Sequence, residues 1–346
     1  MPNMLKPLEQ QVIVITGATS GIGLVTARMA VKRGARVMLV ARDEGALKTL
    51  CDELNANDKA VAAYALADVG DEAQVQAAAA QAMTRFGGFD TWINNAGVSI
   101  YGHLEDVPTE DLRRLFETNF WGVVYGSRVA VKHLRERGGA LINLGSELSD
   151  VTVPLQGMYS ASKHAVKGFT DALRIELLHD KAPISVTLVK PAGTDTMFVE
   201  HARNFLDVEP KLPPPVYAPE VVARAILNAA ERPQRDVYAG GASRALSVGN
   251  RLMPGVLDLL LHKLGYSMQR SARPREEGDA LHASSGALRE RSGKHGMVFE
   301  HSPYTMLSQC RGMNALLLVG GALGLGFALT RGRRTTRPQR LLDKLS

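Results

Sequence analysis

The chain has 346 residues, 45% of them hydrophobic and 22% charged, with a formal net charge of +6. That suits one α/β domain of about 250 residues plus an extension, and it excludes a chain too polar to bury a core. The excess positive charge lies in residues 267–346, where 13 Lys and Arg stand against 6 Asp and Glu. Residues 1–266 carry 28 against 29, so no basic nucleic-acid-binding face is expected on the folded body.

Two cysteines, Cys51 and Cys310, lie far apart in the sequence and fit a reducing, cytoplasmic compartment. Residues 1–10 lack the apolar stretch of a signal peptide. None of the nine histidines falls in a ligand spacing, so no metal is expected.

The first element is a β-branched run at residues 12–15, as in a strand buried on both faces. Thr16 and Gly17 end it, and a turn with Gly17, Gly21 and Gly23 follows. From Ile22 to Gly34 the pattern is helical, with Leu24, Val25, Met29 and Ala30 on one side. Strand, glycine turn and helix in this order make a nucleotide site. Glycines let backbone approach a pyrophosphate, and the helix N-terminus offers it free N–H groups and partial positive charge.

Residues 36–41 form a second apolar run, Asp43 can cap a helix reaching about residue 57, and residues 61–66 read as a third strand. A helix at 71–86, a strand at 91–94 ending in Asn94-Asn95-Ala96-Gly97, one long helix at 109–137 and a strand at 140–144 come next. A helix at 157–178, a strand at 184–189 closed by Pro191, a helix at 219–231 and a seventh strand at 236–239 complete the series. Strands alternating with helices predict an α/β fold: a doubly wound, parallel, seven-stranded sheet covered on both faces. Residues 1–240 form this domain. Residues 241–266 read as an apolar helical extension, with Leu252, Val256, Leu259, Leu260 and Leu264 at helical spacing, which docks on the domain or lies on a bilayer. Residues 267–313 read as a flexible polar linker, and 314–346 as a hydrophobic segment with a basic tail.

Arg42 bears on cofactor choice. An acidic residue after the second strand of a dinucleotide fold binds the ribose 2′-hydroxyl; here Ala41 ends the strand and Arg42 follows, which suits a 2′-phosphate and favours NADP(H) over NAD(H). Against this, Arg42 could be a solvated charge and Asp43 the ribose ligand.

Tyr159 and Lys163 are four residues apart on one helix face. A free tyrosine titrates near ~10, and a neighbouring ammonium would bring it down toward a useful acid/base. Ser146, just past the fifth strand, faces the cleft where open α/β sheets bind ligands. Tyr-x-x-x-Lys alone is weak, and an exposed helix face would produce it too. With Ser146 and the glycine turn it becomes specific, and the chain resembles the short-chain dehydrogenase/reductase family over roughly residues 8–240.

That resemblance implies NADP(H)- or NAD(H)-dependent hydride transfer at a CH–OH group, with a catalytic set of Asn119, Ser146, Tyr159 and Lys163. Tyr159 would be the acid/base, Ser146 would orient the carbonyl, Lys163 would bind the nicotinamide ribose, and Asn119 would link the lysine to water. It implies a cofactor turn of Thr16, Gly17, Thr19, Ser20, Gly21, Ile22 and Gly23. Asp68 and Val69 would contact adenine, and Asn95, Ala96 and Gly97 would line the site with Tyr159 and Lys163. Pro191, Gly193 and Thr196 would reach the carboxamide or phosphate end, although Ala192 stands where the family usually has glycine. Long helices that commonly pair across a two-fold axis imply a homodimer or homotetramer.

The apolar residues of 194–219, including Met197, Phe198, Phe205 and Leu206, suggest a lid over a lipophilic alcohol or ketone; equally, they could only seat the lid. A non-catalytic NADP(H) sensor, or an isomerase or dehydratase on the same fold, are the alternatives. Residues 315–329 are uncharged and six basic residues follow, so peripheral attachment to the cytoplasmic face of a membrane through 314–346 is expected, against docking on a neighbouring subunit.

Overall fold

A computed structural model describes residues 5–57, 60–284 and 288–309. The central sheet has seven parallel strands: β1 Val12–Thr16, β2 Arg36–Ala41, β3 Ala62–Leu66, β4 Thr91–Asn94, β5 Gly139–Leu144, β6 Ile184–Pro191 and β7 Asp236–Ala239. Their spatial order is β7-β6-β5-β4-β1-β2-β3. The chain therefore winds outward from β1 in one direction, returns, and winds outward from β4 in the other. Ligands of such sheets bind at this reversal, beyond the carboxyl ends of β1 and β4. The register sets Val14 against Met38 of β2 and Trp92 of β4.

Every residue of β1 is buried. Ile13 and Ile15 pack with Leu24, Leu47, Val222 and Ile226, the layer of helices α1 Gly21–Lys32, α2 Glu44–Leu54 and α7 Pro219–Glu231. Val12 and Val14 pack with Val75, Ala78, Leu134 and Leu177, the layer of α3 Glu72–Phe86, α5 Gly122–Arg137 and α6 Gly157–His179. Side chains of a strand alternate between faces, so an unbroken apolar strand serves two cores at once. Truncating one of these, as in Ile15→Ala, costs about 2–5 kcal/mol.

Two expectations need correction. The helix expected at 109–137 spans that range but is not a regular α-helix throughout: α4 Thr109–Phe116 passes through a wider helical turn at Glu117–Trp121 into α5. Such insertions occur where one side chain must leave the helical register, commonly at functional sites. Here that side chain is Asn119, which pairs with the backbone of Val98.

Nor are the described residues of 267–313 a flexible linker. Arg270–Pro274 pairs antiparallel with Val208–Pro210, and Val298–Phe299 pairs parallel with Val216–Tyr217. Leu281 is fully buried beside Val98, Ile100 and Leu115. The charges that made this stretch look solvated have distant partners: Arg270 with Asp207, Arg291 with Glu220, and Lys294 with Glu209. The chain continues in α8 Gly241–Leu252 and α9 Pro254–Leu260.

Residues 1–305 form one compact unit. The second, 306–346, is described only to Gln309, so the hydrophobic segment and basic tail at 314–346 lie outside the described residues. Among the described residues no helix is long and apolar enough to cross a membrane.

Candidate active site

The turn after β1 is built for close approach. Gly17 has φ +65°, and a Cβ there would lie 2.9 Å from the Ala96 Cα; a Cβ on Gly23 would meet the Gly17 carbonyl at 2.1 Å. Only glycine fits. The neighbouring loop after β4 fixes this turn. Asn95 Nδ2 donates to the Thr16 and Gly17 carbonyls at 2.8 and 3.2 Å. Thr16 Oγ1 accepts from the Asn95 and Ala96 N–H groups. Thr16 and Asn95 therefore lock the turn between β1 and β4. Asn94 does the same inside the sheet, donating to Asn143 Oδ1 at 2.8 Å.

Two cavities meet here, and Gly97 lines both. The smaller, about 110 Å³, lies beyond β1, β2 and β3. The turn residues Gly17, Thr19 and Ser20 line it, with Arg42 from the end of β2, Asp68 and Val69 from the end of β3, and Ala96. The larger, about 150 Å³, lies beyond β4, β5 and β6. Ser146, Tyr159 and Lys163 line it, with Ile22, Asn95, Pro191, Gly193 and Thr196. Of the expected site residues, Thr16, Gly21, Gly23 and Asn119 line neither cavity. They act through the shape of the turn or through their neighbours.

Ser146 lies two residues past β5 and caps a one-turn helix, Glu147–Ser149; its Oγ accepts from the Leu148 N–H at 3.1 Å. Tyr159 and Lys163 face it from the first two turns of α6, both buried. Lys163 Nζ donates to the Leu144 carbonyl at 2.9 Å and stands 5.7 Å from the centre of the Tyr159 ring. Asn119 Oδ1 accepts from Val98 N–H at 2.8 Å, and its Nδ2 donates to the Val98 carbonyl at 2.9 Å and to Ser162 Oγ at 3.2 Å. A Cβ on Gly97 would lie 3.4 Å from Asn119 Oδ1 and 3.7 Å from Lys163 Nζ, so the two side chains converge beside this glycine.

The electrostatics differ in one respect from what the spacing of Tyr159 and Lys163 suggests. Burial holds the Tyr159 hydroxyl above its ordinary pKa; the Ser146 hydrogen bond pulls it down and the nearby Glu147 pushes it up. The expected lowering by Lys163 does not prevail, because Nζ is turned to a carbonyl and the ring face. Burial also brings the Lys163 ammonium down to about 8.

Arg42 is not a free surface charge. Its guanidinium donates to the carbonyls of Ala280, Leu281 and Ala283. Arg114, hydrogen-bonded to Asp68, donates to the Leu281 carbonyl as well. Asp43 caps α2 through the Ala46 N–H and accepts from Ser284 Oγ. Gly21 N–H, at the start of α1, donates to the Arg289 carbonyl at 2.9 Å. Ala280 and Ser284 line the smaller cavity with His201, and Gln269 lines the larger. No local signal in the sequence marked these residues, since each reaches the site by long-range packing. Glu147 was legible as the residue after Ser146 but carried no motif. Among the described residues no three His, Cys, Asp or Glu side chains come together as a metal site.

A paired cavity under a glycine turn, at the reversal of a doubly wound sheet, defines a dinucleotide-binding oxidoreductase fold. The sequence profile for short chain dehydrogenases matches residues 11–206, and the chain belongs to the short-chain dehydrogenase family of NAD(P)-binding oxidoreductases. It is 46% identical over 322 residues to YxnA, an uncharacterized oxidoreductase of Bacillus subtilis (strain 168), covering 91% of this chain and 90% of that one. It is 33% identical over 264 residues to SadH, a putative oxidoreductase of Mycobacterium tuberculosis, covering 72% and 93%. The fold is similar to that of a short chain dehydrogenase/reductase from Burkholderia phymatum in complex with NAD. That match has a TM-score of 0.65 at 26% identity, over 80% of this chain and all of that one. A short chain dehydrogenase from Burkholderia cenocepacia J2315 in complex with NADP matches with a TM-score of 0.62 at 27% identity, over 74% and 99%.

Proposed function

We propose that this protein reduces a lipophilic ketone or aldehyde with NADPH, or runs the reverse oxidation of the alcohol, with Tyr159 as the acid/base. The observation that carries the reading is the convergence of Ser146, Tyr159 and Lys163 on one cavity that shares Gly97 with the cavity under the glycine turn. Bound nicotinamide supplies or accepts the hydride. In reduction, the Ser146 hydroxyl and the Tyr159 phenol hold the substrate carbonyl oxygen by hydrogen bonds. As the carbon gains hydride, the oxygen takes the Tyr159 proton and becomes a hydroxyl. A phenol held protonated by burial suits this direction. Lys163 fixes the ribose side of the site and supports the phenolate that is left. Asn119, which converges with Lys163 beside Gly97, links the lysine to solvent water, from which that proton is replaced.

NADP(H) is favoured because Arg42 stands at the rim of the smaller cavity, with Arg114 beside it. Of the two acids nearby, Asp43 is engaged by Ala46 and Ser284, and Asp68 by Arg114. A lipophilic substrate fits walls made by Leu148, Val153, Phe198 and Leu212. A screen of ketones, aldehydes and alcohols, followed by NADPH absorbance, tests the reading; cofactor binding without turnover on any of them would favour a sensor instead.

Two parts of the reading concern surfaces. Ile175 and Leu178 stand exposed on α6, and a two-fold pairing of this helix in a homodimer or homotetramer would cover them. A wild-type monomer in light scattering would remove that proposal. Peripheral membrane attachment through 314–346 rests on the apolar run and its basic flank. Equal solubility of the full chain and of one ending near residue 300, without detergent, would remove it.

A further inference from the structure

The larger cavity is mostly apolar, yet two of its wall residues are hydrogen-bond acceptors with capacity left over. Gln269 is 1% exposed. Its amide orientation is fixed, because Nε2 donates to the Pro154 carbonyl at 2.6 Å and to the Gly265 carbonyl at 3.3 Å. That leaves Oε1 as the free end, and Oε1 is buried with no hydrogen-bond partner. An orphaned buried acceptor is costly, and native proteins keep one where a ligand or water completes it.

Glu147 is the second acceptor. It follows Ser146 directly and lines the same cavity, where the Gly193 backbone pulls its pKa down. Among the described residues it has no ion pair, whereas Asp150, three residues on, is held by both Lys167 and Lys190. Burial raises the Glu147 carboxyl to about 7, so near neutrality it is present in both charge states. A hydroxyl group can satisfy either form, donating to the carboxylate or accepting from the acid. An ammonium can satisfy only the carboxylate, and it would lose its hydration against apolar walls.

We propose that Gln269 and Glu147 form a polar subsite in the substrate cavity that reads a second hydroxyl group, so that the substrates are hydroxyketones and diols with an otherwise lipophilic body. This rests on the oxidoreductase reading above and narrows it. Gln269 lies outside residues 11–206, the part matched by the family profile, so the subsite belongs to the C-terminal extension as much as to the shared fold.

The test compares cyclohexanol with the three positional cyclohexanediols, which share one ring and differ by one hydroxyl. Full-length protein is assayed for kcat/KM with NADP⁺, and the affinity of each alcohol for the protein–NADP⁺ complex is measured by calorimetry. The wild type should favour at least one diol over cyclohexanol by about tenfold or more, as sites built to hydrogen-bond a substrate do. Gln269→Leu should bring that ratio close to unity, and Glu147→Leu should lower it. If one variant loses NADP⁺ binding and so has not folded, the other decides. No diol preference in the wild type, or a preference that survives substitution, overturns the subsite. Tighter diol binding that the substitutions abolish, with no turnover of any alcohol, upholds the subsite and counts against the oxidoreductase reading alone.

Discussion

Arg42 and Ala280 are 238 residues apart in the chain, yet Arg42 Nη2 donates to the Ala280 carbonyl at 2.5 Å. The residue that follows the second strand and lines the smaller cavity is thus held by the C-terminal segment. The same segment reaches the glycine turn, where the Arg289 carbonyl accepts from Gly21 N–H, and the loop after β6, where Asp195 accepts from Ser292. The smaller cavity and the C-terminal extension are therefore joined through one guanidinium, which the proposed function assigns to cofactor recognition.

Replacing that guanidinium tests cofactor choice. Arg42→Ala should weaken NADP(H) binding by about tenfold to a hundredfold, the range for a lost charge-assisted hydrogen bond, and NAD(H) binding far less. Arg42→Asp should move the preference to NAD(H). Fluorescence titration with the two reduced cofactors reads both. A wild type that already binds NADH more tightly than NADPH would contradict the account.

Asp150 ties the one-turn helix after Ser146 to β6. Its carboxylate accepts from Lys167 at 2.6 Å and from Lys190 at 2.9 Å. Burial pushes its pKa up, but the two lysines outweigh that and hold it well below the usual carboxylate range. Lys190 is itself almost fully buried. Asp150→Ala would leave that ammonium only its longer contact with Asp236 at 3.5 Å and the Tyr238 hydroxyl, and cost about 3 kcal/mol. Because the folded pKa is depressed, the pair's contribution is present above the unfolded value near ~3.9 and lost as pH falls below it. Urea unfolding of both proteins should show the full gap at neutral pH and a smaller one in acid.

Glu147 carries the opposite sign. Its folded pKa, raised by burial to about 7, exceeds that of an unfolded glutamate, so the folded state holds the proton more tightly. Its contribution to stability is complete below the unfolded pKa near ~4.3 and is lost as pH rises through about 7. Glu147→Gln should flatten the fall in Tm across that window. Parallel curves for the two proteins would show that Glu147 is not the titrating group.

How much of this was legible in the sequence follows from the range of the interactions. The sheet was legible because buried parallel strands are written as local apolar runs bounded by glycine, proline and caps such as Asp43. Ser146, Tyr159, Lys163 and the glycine turn were legible because their spacing along one strand end and one helix face is itself the signal. The wider turn around Asn119 was not, since its cause is a pairing with Val98 across the site. The path of residues 270–299 was hidden for the same reason. Polar composition there reads as solvated until Glu209, Glu220 and the Arg42 guanidinium are found to be its partners. Spacing reports Lys163 beside Tyr159 but not burial, and burial is the larger effect on the hydroxyl.

The most direct measurement is turnover by Tyr159→Phe, set beside its cofactor affinity. This change removes one oxygen and leaves the ring against Phe198, so the fold and the cavity under the glycine turn should persist. With any ketone the wild type reduces, the account predicts kcat lower by about a hundredfold to ten-thousandfold, the usual contribution of acid/base catalysis, with NADPH binding nearly unchanged. Wild-type kcat in the Phe variant would contradict it.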